Sequence, residues 1–198
     1  ANYVCLSVSD EDPTKTNEAK LASWTYTSRG GFYWAGAYVT DNALVVPTDD
    51  GESGYTTGYA RLLSLDPQTG FLLDSVTMPH PGDLRSAVTY DGGTCYFTSK
   101  GGYLYAVGLL SGGTFRAGSL RELKLENYAS DAANPAMSTS TPTVYNGRAY
   151  VGVSGVGQFT AYSGHNITVI DLSAWHTAYT VRTQGYPQTS ALLTTAYE

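Results

Sequence analysis

The sequence predicts an all-β chain, a segment of a β-propeller built from four-stranded antiparallel blades. Three observations carry that prediction. Tight-turn residues recur at Asp41-Asn42, Asp91-Gly92-Gly93 and Asn146-Gly147, a beat of roughly fifty residues, each between two runs of strand formers. Tyrosine and glycine are abundant, 17 and 22 among 198 residues, as half-buried pleated surfaces and frequent turns require. No long window keeps a helical period; only Lys15 to Leu21 suggests a helical turn, with Thr14 or Thr16 as its cap.

Each copy reads as strands A to D, counted outward from the propeller axis. In the first, A is expected over 36–40, B over 43–48, C over 59–65 and D over 71–77. Asp66-Pro67-Gln68-Thr69-Gly70 joins its last two strands, with Pro presetting a turn and Gly taking the left-handed position. In the second, A covers 85–90, B 94–99 and C 103–109, with D somewhere within 114–125. The third is the clearest, with A at 141–145, B at 148–153, C at 165–172 and D at 178–183. Residues 3–8 and 22–27 read as the C and D strands of a preceding blade, and 189–197 as the A strand of a following one. The expected divisions are a partial blade over 1–29, blades over 30–78, 79–126 and 136–184, and the start of another over 185–198. An arc of just under four blades leaves two apolar faces to be covered. The expected partners are therefore missing propeller blades or a second chain that completes the ring.

Charge excludes some functions. The net charge is −6, and the nearest approach to a basic cluster is Arg116, Arg121 and Lys124. A nucleic-acid binder needs a positive stripe along one face, so none is expected. No apolar run approaches the roughly 18 to 20 residues of a membrane-spanning helix, so no membrane insertion is expected. Cys5 and Cys95 read as two buried free thiols, with a disulfide as the alternative.

Several segments resemble known repeats. Ser-Thr-Pro-Thr-Val-Tyr-Asn-Gly-Arg-Ala-Tyr-Val-Gly (140–152) is similar to the opening of PQQ-like β-propeller repeats, and Leu-Asp-Pro-Gln-Thr-Gly (65–70) to their turn between strands C and D. Gly-Gly-Phe-Tyr-Trp-Ala-Gly-Ala-Tyr-Val (30–39), Tyr-Ser-Gly-His-Asn-Ile-Thr-Val-Ile-Asp-Leu (162–172) and the segments 10–18 and 184–190 resemble bacterial surface propellers. These are of the quinoprotein alcohol dehydrogenase-like type, found in large secreted proteins of gut bacteria. The resemblance implies an extracellular or cell-surface location and a ligand-binding, adhesion or scaffolding role. The alternatives are a share in a PQQ-dependent dehydrogenase or in an envelope assembly scaffold. Where dehydrogenase repeats place a tryptophan after the Thr-Gly turn, this chain has Phe71-Leu72-Leu73, and it lacks an adjacent cysteine pair. A bound quinone is therefore not expected.

The expected binding surface is the mouth of the central channel, lined by residues entering each A strand: Tyr33 and Trp34, Arg85 and Ser86, Thr139 and Ser140, Gln188 and Thr189. Hydroxyls, one guanidinium, one amide and two aromatics suit a glycan, a peptide or a surface protein. The competing reading is that the hydroxyls only bridge neighbouring blades. Asp49, Asp50 and Glu52 form a candidate calcium loop, because hard cations take carboxylate oxygens; a solvated acidic turn is the plainer reading. His80, His165 and His176 read as structural or surface residues, and no catalytic residue is assigned.

Overall fold

The computed structural model describes residues 1–7, 22–52, 54, 56–127, 136–155 and 165–194. The candidate helical turn at 15–21 lies outside them. All regular structure among the described residues is antiparallel β. Strands β1 (Asn2–Leu6) and β2 (Ala22–Thr27) form a two-stranded sheet. The first full blade orders β3 (Tyr38–Val39), β4 (Leu44–Pro47), β5 (Arg61–Leu65) and β6 (Leu72–Thr77). The second orders β7 (Thr89–Asp91), β8 (Thr94–Thr98), β9 (Tyr103–Gly108) and β10 (Arg121–Lys124). In the third, β11 (Ala136–Met137) and β12 (Thr143–Tyr145) both pair with β13 (Arg148–Gly155), followed by β14 (Asn166–Asp171) and β15 (His176–Arg182).

The inner strands depart from expectation in an informative way. Strand A of the second blade begins at Thr89 rather than Arg85, because the preceding amides bond elsewhere. Ala87 donates to Thr141 Oγ1 of the next blade at 2.9 Å, and Leu84 to the Thr48 carbonyl of the previous one at 3.1 Å. Thr189 to Thr194, expected to open another strand, are not a strand; their carbonyls instead accept from the third blade, Thr189 from Ser140 Oγ and Ala191 from Thr143 Oγ1. The turn at Asp41-Asn42 also differs from the other two. Asn146 and Gly147 have φ of 48° and 73°, and Gly92 and Gly93 are likewise positive, whereas Asp41 and Asn42 are not. There Thr40 Oγ1 accepts from the amides of Asn42 and Ala43 and closes the turn through a side chain.

The core is a series of layers between sheets. Along β4 the side chains alternate: Leu44 and Val46 face β1 and β2, packing with Leu63, Leu65, Tyr3 and Trp24, while Ala43 and Val45 face the second blade. That second layer holds Leu62, Met78, Leu84, Phe97 and Tyr105. A third joins Leu104 and Leu125 to Val151, Val153 and Ile170 across the second and third blades. Each inner sheet thus buries both faces, which explains continuous apolar runs such as Leu44–Pro47. Cys95 is buried and Cys5 half-buried, and both are free thiols.

This topology sorts the connections onto two rims. Hairpins joining A to B and C to D lie at one end of every blade, and the B-to-C turns and blade-to-blade crossings lie at the other. The second rim carries the candidate binding residues.

Candidate functional site

Three successive connections build the centre of that rim: the crossing at 28–37, the loop after β4, and the crossing at 78–88. Gly30 lets the first two meet. A Cβ on it would lie 1.9 Å from the carbonyl oxygen of Asp49, so only the bare backbone fits. The amide of Asp49 then donates to the Gly31 carbonyl at 2.8 Å. This places Tyr33 and Trp34 over the acidic loop and fixes where Asp49 points.

Arg85 is the hub. Its Nε and Nη2 donate to the two carboxylate oxygens of Asp49 at 3.1 and 2.9 Å, and Nη2 also reaches Asp83 Oδ2 at 2.9 Å. The Arg85 side chain is 10% exposed, Asp49 8% and Asp83 2%, so this is a nearly dry cluster. Above it, Arg85 Cζ lies 5.1 Å from the Tyr33 ring centroid and 5.2 Å from that of Trp34. Lys100 Nζ approaches the Trp34 ring at 6.0 Å. Both rings remain open to solvent, Tyr33 at 58% and Trp34 at 68%. Trp34 also holds a left-handed backbone, φ 60°, a conformation that costs an L-residue about 1–2 kcal/mol. Residues held in such strain cluster at ligand sites. A cleft of about 350 Å³ runs beside the cluster between Tyr33, Arg85, Asp83 and Arg29.

Burial sets the protonation chemistry. Desolvation pushes Asp83 up to about 6, against the opposing amide of Asp50 and the Arg85 charge. Asp49 is raised for the same reason, with Arg85 working against it. Lys100 is lowered by desolvation and then by Arg85. The cluster therefore sets three aspartates, with Asp50 at its edge, against two cations.

The three residues of the candidate calcium loop diverge. Asp49 turns to Arg85, Asp50 accepts the amides of Glu52 and Gly58 at 2.7 and 2.8 Å, and Glu52 pairs with Arg29. Among the described residues no three acidic, histidine or cysteine side chains converge as metal ligands.

The channel-mouth set is split. Tyr33, Trp34 and Arg85 come together. Ser86 is fully buried, with its Oγ accepting from Thr98 N at 2.8 Å. Ser140 is equally buried and donates to the Thr189 carbonyl; Thr139 bonds the Tyr186 hydroxyl through both its amide and its Oγ1. Gln188 and Thr189 are exposed, on the segment beyond the third blade. Thr139 and Ser140 thus tie the third blade to the segment beyond it, whereas Ser86 bonds within its own blade. Asp83 and Lys100 escaped the sequence reading; an acidic residue two before Arg85 and a lysine in a B-to-C turn carry no motif, and only the fold joins them.

Two of the three histidines are packed, and His176 is exposed on β15. His165 is buried with Nδ1 2.8 Å from Ser154 Oγ. His80 stacks on Tyr103 at 4.0 Å and bonds Glu122 at 3.0 Å.

Comparison with solved structures identifies the fold. A quinohemoprotein alcohol dehydrogenase from Pseudomonas putida superposes with a TM-score of 0.56 at 18% identity, covering 81% of this chain and 22% of its own. BamB from Moraxella catarrhalis gives 0.56 at 13% identity, over 86% and 45% of the two chains. A europium-containing methanol dehydrogenase gives 0.57 at 16%, over 80% and 26%. The chain spans under half the length of each. No family model and no curated protein matches it. The chain has the β-propeller fold of these structures and forms a partial propeller.

Proposed function

We propose that this segment of a PQQ-like propeller is a non-catalytic binding module, displayed at a bacterial cell surface, which holds a polar ligand such as a glycan against Trp34 and Tyr33. The observation that carries the reading is the pair of exposed rings seated on Arg85, whose charge is already matched by Asp49 and Asp83. A guanidinium so engaged orients the aromatics; it is not poised for chemistry. A strained, open tryptophan next to Tyr33, which itself lines a polar cleft, is an arrangement that stacks a sugar ring while polar neighbours reach its hydroxyls. No quinone is proposed at this site. PQQ carries several carboxylates, and these residues would meet it with Asp49, Asp50 and Asp83.

A glycan array probed with the folded chain tests this. Retention of neutral saccharides, reduced at least tenfold by Trp34→Ala with the fold intact, is expected. An array with no retained glycan, or retention unchanged in Trp34→Ala, overturns the reading.

One observation favours a second reading, an envelope assembly scaffold. Strand β15 is exposed along its whole length, including Tyr179 at 46% and Val181 at 50%. Capture of a defined envelope protein, lost in Val181→Asp and retained in Trp34→Ala, would favour the scaffold.

A further inference from the structure

We propose a second ligand site, for an acidic sugar, in the cleft between the second and third blades on the rim opposite Trp34. It is independent of the function proposed above. Its floor follows from strand register. Thr94 pairs with Gly108, Tyr96 with Ala106, and Ala106 with Arg121, so these residues share the sheet face turned toward the third blade. Further along that face Leu104 and Leu123 join the apolar layer with Val151 and Ile170. Toward the hairpin the side chains shrink to Ala106 and Gly108, and the blades part to leave a cleft of about 430 Å³. A Cβ on Gly108 would press within 3.1 Å of the Arg116 Cβ and 3.3 Å of its Nε, so the bare glycine seats that arginine.

Trp175 forms the opposite wall. It takes the left-handed position of the turn between β14 and β15, φ 56°, and its Nε1 donates to the Glu122 carbonyl at 2.7 Å. The Arg121 guanidinium lies 4.3 Å from the Trp175 ring centroid. Arg116 and Arg121 are both exposed, and neither forms an ion pair with a described carboxylate. Asp91, near Tyr96, is the acidic neighbour on this edge, and Arg121 opposes it there. Two guanidiniums in one cleft are a local excess in a chain of net charge −6.

The chemistry selects the ligand. Guanidinium forks recognise a carboxylate in two-point fashion. The faces of Trp175 and Tyr96 suit the C–H surface of a pyranose, and Thr94 and the glycine hairpin offer partners for hydroxyls. The volume lies within the range of roughly 300–1,000 Å³ for small-molecule sites. A bare inorganic anion would use the arginines and leave the aromatic walls idle.

Amide NMR of the full chain tests the site, titrated separately with D-glucuronate, D-glucose and inorganic sulfate. Glucuronate is expected to shift the amides of Gly92, Gly93 and Gly118, with glucose and sulfate each binding at least about tenfold more weakly. Arg116→Gln and Arg121→Gln should each weaken glucuronate about tenfold, while the unliganded spectrum reports that the fold is kept. Arg116→Gln stands alone as the test if Arg121→Gln unseats Trp175. No shift at those glycines, equal affinity for sulfate, or undiminished binding by the arginine variants overturns the proposal.

Discussion

The indole of Trp24 lies over Gly70, so close that a Cβ on that glycine would sit 2.4 Å from the ring. Trp24 belongs to β2, and Gly70 ends the turn between β5 and β6, so the contact joins two neighbouring sheets. The ring is fixed by its Nε1 donating to the Pro67 carbonyl at 3.0 Å, and Gly70 has φ 71°. Gly70→Ala therefore combines a left-handed alanine with a collision against an anchored ring. A loss of about 2–4 kcal/mol in chemical denaturation is expected. Trp24→Ala combined with Gly70→Ala should lose less stability than the sum of the two single losses; strictly additive effects would show that the two residues do not interact.

Trp34 separates backbone strain from ring chemistry. Glycine adopts φ 60° freely and alanine does not. Trp34→Gly should be more stable than Trp34→Ala by about 1 kcal/mol, read as thermal midpoints, although both remove the ring from Arg85. Equal midpoints would mean that the left-handed backbone is not held in solution.

Asp83 gives the molecule an acid-range signature. Its carboxyl is raised from the ordinary 3.8 to about 6 in the folded chain, so the native state binds the extra proton between those values. The linkage sign is then fixed: its contribution to stability is complete below pH 3.8 and is lost as pH rises through about 6. Asp83→Asn should cancel this contribution while still accepting the Asp50 amide. The gap between wild-type and Asp83→Asn denaturation midpoints should change across pH 4–6 in the direction of relative wild-type loss. Parallel curves through that range would refute the assignment.

The two thiols should differ sharply toward a disulfide reagent. Cys95 is fully buried, and desolvation pushes its thiol up to about 12, so almost no thiolate exists at neutral pH. Cys5 is half-buried on β1, at the edge of the described sheets. Native protein should react at Cys5 alone, with Cys95 released only by denaturant. Rapid labelling of both in native buffer would contradict the packing.

The fold was legible because its signals are local. Asn146-Gly147, Asp91-Gly92-Gly93 and Asp66-Pro67-Gln68-Thr69-Gly70 each fix a turn by their own backbone preferences, and runs of strand formers such as 103–108 mark the strands between turns. The candidate site was half legible. Tyr33, Trp34 and Arg85 were found by their place before the A strands. Ser86 and Ser140 occupy equivalent places but spend their hydroxyls on backbone groups, Ser86 within its own blade and Ser140 on the segment beyond the third. A hydroxyl beside an inner strand looks the same in sequence whether it meets a ligand or the next blade's carbonyl. Trp175 shows the same limit. Asp171 accepts the amides of Ser173 and Ala174 much as Asp66 accepts those of Gln68 and Thr69, yet tryptophan stands where the earlier turn has Gly70.

By itself the chain's sequence determined where the ribbon turns, that its sheets are antiparallel, and that their inner strands are buried on both faces. Those properties depend on backbone preference and on neighbours within a few residues. Only the tertiary structure decided that Asp49, Asp83 and Arg85 share one dry cluster under two open rings, and that Arg116 and Arg121 face a cleft with Trp175. Both groupings bring together residues from separate connections or blades. Their energies depend on distances and desolvation that exist only once the sheets have stacked.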